Sequence, residues 1–235
     1  MIAYGNLYSK NEGDFSRVLG TNLLNFLKDR RYKVRNILDV ACGTGEFASV
    51  MRNGCPDVTG IDFVKTMIDV AKKQVPDANF ESAPLVDFDM KKTYDLVSMN
   101  NQVLNFALDT DMLDKMIANV AKHLNPGGIF VFDFKTPNAT DNNILQFDET
   151  SEYDYFKEVT SDGPFYMKHE IYYVPSKDNY HKIPYDEKHR VWALDDILEA
   201  LHKHGFYNEN LVSYELELLK KPKKEAKIHV LAYKR

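Results

Sequence analysis

The chain has 235 residues, of which 44% are hydrophobic and 28% are charged. This composition is ordinary for a globular protein, and the length allows one large domain with an insertion. The net charge of −5 is unfavourable for a surface that follows a phosphate backbone, so we expect no nucleic-acid partner. The two cysteines, Cys42 and Cys55, form neither a disulfide framework nor a Cys-x-x-Cys pair, so no metal site is expected.

The apolar residues are distributed in short stretches. No run approaches the about 20 apolar residues that a membrane-spanning helix needs. The first residues, Met1 to Asn6, lack the charged and apolar segments of a secretory signal. We therefore expect no membrane partner and a cytoplasmic location.

The first part of the chain alternates helical and strand patterns. In chain order the patterns predict a helix over 14–31, a strand over 34–40, a helix over 46–52, a strand over 57–61, a helix over 65–74, strands over 79–82 and 94–99, a helix over 111–124 and a strand over 129–134. This alternation predicts an α/β fold with a doubly wound, mostly parallel sheet and helices on both faces. Such sheets bind ligands beyond the carboxyl ends of their strands.

The pattern changes after Thr136. Residues rich in Tyr, Phe, Val and Ile, broken by turns that include Pro175 and Pro184, predict antiparallel strands over 153–160, 166–174 and 187–192. A helix over 194–204 and strands over 207–219 and 227–233 follow. We therefore divide the chain into a core with an N-terminal helical cap at 1–136, a β-rich lid insertion at 137–192, and a segment at 193–235 that completes a seven-stranded sheet.

The stretch Asp39-Val-Ala-Cys-Gly-Thr-Gly45 follows the first strand and precedes a helix. Its glycines allow a sharp turn and a close approach of a ligand to the main chain. The same run fits the dinucleotide pattern G-x-G-x-x-A, so a nicotinamide or flavin enzyme, a methyltransferase and a turn without a ligand are all open. Glu46 at the helix start and Asp39 would repel a pyrophosphate but suit a ligand without phosphate.

This stretch resembles motif I of class I S-adenosylmethionine-dependent methyltransferases, and Leu124-Asn-Pro-Gly-Gly-Ile129 resembles their turn before strand five. The flanks resemble the subgroup that methylates small molecules, including amino-sugar N-methyltransferases with a β-sheet lid. The resemblance implies S-adenosylmethionine as cofactor and methyl transfer to a nitrogen or oxygen of a small molecule. A non-catalytic S-adenosylmethionine-binding module and, less favoured, a NAD-type oxidoreductase are the alternatives.

The resemblance also implies cofactor contacts. Asp39, Ala41, Gly43 and Gly45 would surround the methionyl part, and Asp62 would accept hydrogen bonds from the ribose hydroxyls. Phe63, Met67, the main chain at Leu85, Asn100 and Tyr8 complete the expected set. The sequence departs from the family at Ala83-Pro84, where the family has Gly-Asp, so the usual acid for the adenine amino group is absent.

No general base is assigned by the motifs. The candidates are His169, His181 and His189, because histidine is the side-chain type most often used as a general base, together with Asn101 after the fourth strand and Arg190. The family often has a His where this chain has Glu187. We expect the lid to cover the cleft, with part of its aromatic residues facing the pocket. The lid either pairs across the twofold axis of a homodimer or folds back on its own domain.

Overall fold

The computed structural model describes residues 4–139, 144–177 and 179–235, except the side chains of residues 4, 6, 8 and 10–12. Within these ranges the helices are α1 (Tyr4–Asp29), α2 (Glu46–Met51), α3 (Lys65–Gln74), α4 (Thr110–Lys122) and α5 (Leu194–Lys203). None of these helices is both long enough and apolar enough to cross a bilayer. The strands are β1 (Asn36–Val40), β2 (Asp57–Asp62), β3 (Asn79–Ser82), β4 (Tyr94–Met99), β5 (Leu124–Lys135), β6 (Ile144–Glu149), β7 (Asp154–Asp162), β8 (Phe165–Ser176), β9 (Asn179–Arg190), β10 (Phe206–Val212) and β11 (Lys227–Lys234).

Seven strands form one sheet in the order β10-β11-β5-β4-β1-β2-β3. The strands β1 to β5 are parallel, and β11 runs antiparallel to both of its neighbours, β5 and β10. The predicted doubly wound, mostly parallel sheet is confirmed. Its strand order reverses between β1 and β4, so a crevice lies at the carboxyl ends of these two strands.

The sheet separates two apolar cores. In β5, Phe130 and Phe132 pack with α4 and α5 on one face, whereas Ile129 and Val131 pack with α1, α2 and α3 on the other. This follows from the period of two along a strand. Both faces are covered, which explains why the central strands read as continuous hydrophobic runs in the sequence.

The strands β6 to β9 form a second, antiparallel sheet, which we call the lid sheet. One of its ends packs on α1, where Leu7 lies in a buried cluster with Tyr153, Tyr155 and Tyr172. Another contact is made by Asn105, whose side-chain amide donates to the main-chain oxygens of Lys135 at 3.1 Å and Arg190 at 2.6 Å. These contacts hold the lid sheet above the crevice. The domain boundaries at 136 and 192 stay a prediction.

Two predictions about the lid were wrong. Pro184 does not break the last strand but lies within β9, where it pairs with Ile171. Proline is tolerated there because β9 is an edge strand, with no second neighbour that needs a main-chain N–H. The strand β6 was missed, because it is exposed on both faces and its residues therefore lack an alternating pattern.

The C-terminal strand pattern is also shorter than predicted. The strand expected over 207–219 ends at Val212, and the chain then turns through Leu216, whose φ is 62°. Val212 and Leu218 form an isolated antiparallel bridge. The lysine-rich run that follows contains a short 3₁₀ turn, Pro222–Lys224, before β11.

Candidate functional site

A cleft lies between the crevice of the seven-stranded sheet and the lid sheet. The predicted site residues that line it are Ala41, Gly43, Asp62, Phe63, Met67, Asn100, Asn101 and His189. They come from the ends of β1, β2 and β4, from α3 and from β9. Because the carboxyl ends of parallel strands meet at one edge, residues distant in the sequence converge there.

The glycine-rich loop makes the floor of the cleft. Ala41, Gly43 and Gly45 all have left-handed backbones, with φ of 57°, 55° and 88°. The turn is closed by the N–H of Gly45, which donates to the oxygen of Cys42 at 3.0 Å. A Cβ at Gly45 would lie 3.1 Å from the ring of Phe80, so this position favours glycine on both conformational and steric grounds.

Asp39 lies at the carboxyl half of β1, directly below this loop. Its side chain is 2% exposed, and the hydroxyl of Ser98 donates to its Oδ1 at 2.7 Å. Burial raises the pKa of Asp39 to about 7, although the bond from Ser98 lowers it. Among the described residues Oδ2 has no hydrogen-bond partner. A buried acceptor of this kind is suited to a donor supplied by a ligand.

Asp62 ends β2 and faces the same loop. Its Oδ2 accepts from the N–H of Gly43 at 3.0 Å, and its Oδ1 accepts from the N–H of Val64 at 2.8 Å. Burial raises the pKa of Asp62 above its usual range, against the effect of these two bonds. Each carboxylate oxygen has a second lone pair, so the group can still accept two hydroxyls.

Glu46 begins α2 and is 3% exposed. Both of its carboxylate oxygens lie 2.7 Å from the hydroxyl of Thr44, and Ser9 of α1 donates to Oε1. The carboxylate therefore occupies the helix start at which a dinucleotide pyrophosphate would have to bind. This arrangement is unfavourable for such a ligand and agrees with a ligand that carries no phosphate.

The end of β4 forms a strained turn beside the loop. Asn101 and Gln102 have φ of 61° and 63°, values that non-glycine residues adopt rarely. The turn is held by Asp133, whose carboxylate accepts from the N–H of Gln102 at 3.1 and 3.2 Å. Asn100 is 6% exposed, and its amide oxygen and nitrogen lack partners within the described part of the chain. The strain thus presents unsatisfied amide groups to the cleft.

The remaining predicted cofactor residues differ in whether they line the cleft. Phe63 is 51% exposed at the cleft and Met67 is 5% exposed beneath it. Leu85 does not line the cleft but packs on the core with α4 and α5. The side chain of Tyr8 lies outside the described residues, although its backbone belongs to α1.

The lid sheet presents a charged face to the cleft. Pairing between β8 and β9 sets Tyr166 opposite His189 and Lys168 opposite Glu187. Lys168 lies 2.8 Å from Glu187 and 3.3 Å from the buried Glu170. Lys168 and Glu187 line the cleft although the sequence did not predict them as members of the site, and Glu170 lies behind Lys168. Because side chains alternate between the two faces of a strand, the spacing of these residues in the sequence could have indicated that they share the inward face.

Three predicted catalytic candidates lie outside the cleft. His169 lies on the opposite face of β8 from Lys168, with 37% of its side chain exposed, and pairs with Asp186. Arg190, one residue after His189, donates to the oxygen of Leu108 at 3.2 Å and stacks over Trp192. His181 is exposed on β9. The period of two directs His169 and Arg190 away from the cleft, whereas His181 lies too far along β9 from His189 to line it.

A family model described as a methyltransferase domain matches residues 37–128. A dTDP-4-amino-2,3,4,6-tetradeoxy-D-glucose N,N-dimethyltransferase from Saccharopolyspora spinosa is 26% identical over 130 residues, which are 55% of this chain and 52% of that protein. The chain spans about half the length of the first curated relatives it matches.

Two solved structures resemble the whole chain. The sugar N-methyltransferase KedS8 from Streptoalloteichus superposes with a TM-score of 0.84 at 20% identity, covering 100% of this chain and 94% of that one. CalS10 from Micromonospora echinaspora, an amino pentose methyltransferase solved with S-adenosylmethionine bound, gives a TM-score of 0.79 at 17% identity, covering 100% and 99%. Residues 37–128 therefore match a methyltransferase domain, and the chain has the fold of the solved class I S-adenosylmethionine-dependent methyltransferases.

Proposed function

We propose that this chain transfers a methyl group from S-adenosylmethionine to an amino nitrogen of a small molecule. The observation that carries the proposal is a set of buried polar atoms without protein partners at the topological switch point. They are Oδ2 of Asp39 and the amide oxygen and nitrogen of Asn100, as far as the described residues go. Such atoms are costly when left unsatisfied, so a polar ligand at this edge accounts for them.

The residues present fit S-adenosylmethionine. Asp39 and the loop at Gly43 would hold the amino acid end, because a carboxylate with a vacant oxygen suits an ammonium donor. Asp62 would accept the two ribose hydroxyls. Phe63 and Met67 would cover the adenine, and this part is the least specific because Pro84 offers no acid to the adenine amino group.

S-adenosylmethionine, when bound, supplies a methyl group on a sulfonium whose sulfur is a good leaving group. The protein then has to hold the acceptor nitrogen in line, exclude water and manage the proton of the nitrogen. The lid sheet serves the first two tasks, since its inward face closes the cleft with Tyr166, Tyr185 and the Lys168–Glu187 pair. Burial, together with the neighbouring Glu187, raises the pKa of Tyr185, which keeps this phenol protonated.

An amino nitrogen is favoured over a hydroxyl oxygen by the relatives. Three of the curated relatives are named as N,N-dimethyltransferases of dTDP-linked amino sugars, and CalS10 is an amino pentose methyltransferase. The carboxylate of Glu187 in the roof of the cleft would also favour a cationic acceptor over a neutral one. We therefore propose an amino sugar as the substrate class.

The non-catalytic alternative rests on one observation, the absence of an acid at Pro84. A protein that binds S-adenosylmethionine without transferring its methyl group would release no S-adenosylhomocysteine with any acceptor. The oxidoreductase alternative is disfavoured by the buried carboxylate of Glu46 at the start of α2. A homodimer and a cytoplasmic location stay predictions, and light scattering of the purified chain tests the first.

The test is product formation with matched acceptors. The purified chain is incubated with S-adenosylmethionine and, in turn, dTDP-linked amino sugars, free amino sugars and their hydroxyl counterparts, and S-adenosylhomocysteine is measured by mass spectrometry. We expect product with at least one amine and none with its hydroxyl counterpart. Cofactor binding without turnover on any amine would favour the non-catalytic module, and no binding would contradict the proposal.

Replacing Asp62 by Ala should weaken the affinity for S-adenosylmethionine by about 100-fold. The reason is the loss of two hydrogen bonds to a charged group, worth about 1.5 kcal/mol each, in addition to the acceptor that orders Gly43. Isothermal titration calorimetry measures the change, with circular dichroism confirming that the variant is folded. Asp69→Ala, which removes an exposed carboxylate of α3, is the matched control and should bind like the wild type. Equal affinities for both variants would contradict the ribose assignment.

A further inference from the structure

An imidazole and a carboxylate form a pair on the inward face of the lid sheet. Nε2 of His189 lies 3.0 Å from Oε2 of Glu187, and both residues line the cleft. The imidazole is 4% exposed and lies between Tyr166, stacked at 4.7 Å, and Phe106 at 4.4 Å. Two aromatic faces and one hydrogen bond thus fix the orientation of the ring.

The carboxylate of this pair stays ionised. Although burial alone raises the pKa of Glu187, the bond to His189 and the charge of Lys168 hold it at about 2. Lys168 is 2.8 Å away on the neighbouring strand. A charged carboxylate at Nε2 requires that this nitrogen carries the hydrogen, because two acceptors facing each other would repel.

The consequence lies at the other ring nitrogen. With the hydrogen on Nε2, the neutral imidazole has its lone pair on Nδ1. This atom is buried and has no hydrogen-bond partner among the residues that the structure describes. A neutral imidazole with an unengaged lone pair, oriented by a carboxylate, is the arrangement of a general base.

We propose that His189 is the catalytic base that deprotonates the amine acceptor, with Glu187 as its positioning residue. This inference rests on the proposed methyl transfer to an amino nitrogen and adds the group that handles the proton. It departs from the resemblance described in the sequence analysis, in which the family often has a His at the position of Glu187. In this chain the imidazole lies two residues later, on the same face of β9.

The acceptor loses one proton before its nitrogen takes the methyl group. An acceptor that arrives as an ammonium gives one N–H proton to Nδ1 of His189, and the electron pair of that bond becomes the nitrogen lone pair. The lone pair forms the N–C bond to the methyl group as the S–C bond of the donor breaks with its electrons on sulfur. The products are a methylated ammonium, a thioether and one proton, which His189 releases to solvent.

The charges around the imidazole come from several elements. The titratable groups that line the same cleft, with their elements, are Asp62 of β2, Lys135 of β5, Lys157 of β7, Tyr166 and Lys168 of β8, and Tyr185 and Glu187 of β9, while Glu170 of β8 lies behind Lys168. Protonation of His189 at low pH occupies the lone pair on Nδ1. The rate should therefore fall as the pH is lowered, with a limb that depends on His189.

Three variants separate a base from a structural residue. His189→Phe keeps an aromatic ring between Tyr166 and Phe106 but removes both nitrogens. Glu187→Gln keeps the size of the side chain and removes its charge. His169→Phe is the matched control, because it changes a histidine on the outward face of the lid sheet.

The first readout needs no substrate. Long-range ¹H–¹⁵N spectra of the histidine-labelled, ligand-free chain at pH 8 should show His189 with hydrogen on Nε2 and an unprotonated Nδ1. The assignment follows from the signal that disappears in His189→Phe, and Glu187→Gln should change the tautomer. A His189 with hydrogen on Nδ1 would overturn the proposal.

The second readout uses the most active amine of the panel described above. His189→Phe should lower kcat by about 100-fold or more and remove the His189-dependent limb of the pH profile, with unchanged S-adenosylmethionine affinity. Glu187→Gln should cause a smaller loss, and His169→Phe none. A His189→Phe variant that turns over like the wild type would overturn the proposal while leaving methyl transfer intact. A wild type that binds no S-adenosylmethionine would instead contradict the proposed function.

Discussion

Replacing Asp39 by Asn should stabilise the ligand-free protein at pH 8 and at the same time weaken its binding of S-adenosylmethionine. Asp39 is buried, and one of its two oxygens is without a partner in the described structure. Burial raises its pKa to about 7, which means that ionisation of this group opposes folding. Asparagine has nearly the same shape, retains an acceptor for Ser98 and carries no charge.

The sign of the pH dependence follows from proton binding. An unfolded aspartate has a pKa of about 3.9, so between about pH 4 and pH 7 the folded state binds the proton more tightly. Asp39 therefore makes the wild type lose stability as the pH rises through this window, and the full cost is present above pH 7. The rise of the Asp39 pKa from about 3.9 to about 7 corresponds to a loss of at most about 4 kcal/mol in the free energy of unfolding. We expect a gain of about 1 to 4 kcal/mol for Asp39→Asn at pH 8 and little or none near pH 4.

Urea unfolding of both proteins at several pH values measures this gain, and calorimetry at pH 8 measures the affinity. Asp69→Asn, at an exposed position of α3, controls for the general effect of removing a negative charge. An Asp39→Asn variant that is less stable than the wild type at pH 8 would show that the charge is compensated in the ligand-free protein. Unchanged affinity would exclude Asp39 from the cofactor site.

Trp192→Ala should lower the free energy of unfolding by about 3 to 5 kcal/mol, the range for deletion of a buried Trp or Phe side chain. Trp192 is 1% exposed and joins three parts of the fold. Its indole N–H donates to the oxygen of Ala107 at 3.1 Å, its main-chain N–H donates to Lys135, and Arg190 stacks on its ring at 4.2 Å. The variant loses this packing at the point where the lid sheet returns to the core.

Trp192→Phe is the matched variant for this position. It keeps an aromatic ring but leaves the buried oxygen of Ala107 without the indole donor, which should cost about 1 to 3 kcal/mol. The chain has a single Trp, so unfolding is followed by circular dichroism rather than by fluorescence. A loss below about 1 kcal/mol in Trp192→Ala would mean that the lid sheet contributes little to the cooperative unit.

Much of the core fold could be predicted from local patterns. The bounds of α3, β3 and β4 agree with the sequence prediction, because α3 and β4 have apolar patterns and Pro76 and Pro84 flank the weaker pattern of β3. The lid was predicted less well. β6 is exposed on both faces and has no pattern, and Pro184 is compatible with a strand only because β9 lies at an edge.

The cofactor side of the site could be predicted better from the sequence than the lid side. The residues of the cofactor side lie in the glycine-rich motif or at strand ends, so the positions of Asp39, Gly43 and Asp62 could be predicted from the sequence. The roof depends on how the lid sheet is oriented, which is set by contacts distant in sequence such as Leu7 with Tyr172. The sequence therefore left the choice among the histidines open, and the structure places only His189 of the predicted histidines in the cleft.

The proposed cofactor site is tested most directly by calorimetric titration of the purified chain with S-adenosylmethionine and, separately, with NAD. We expect saturable one-site binding of S-adenosylmethionine, strongly weakened in Asp62→Ala, and no heat of binding with NAD. Absence of binding by the folded wild type, or equal binding by wild type and Asp62→Ala, would contradict the claim that the glycine-rich loop and its two acids form the cofactor site.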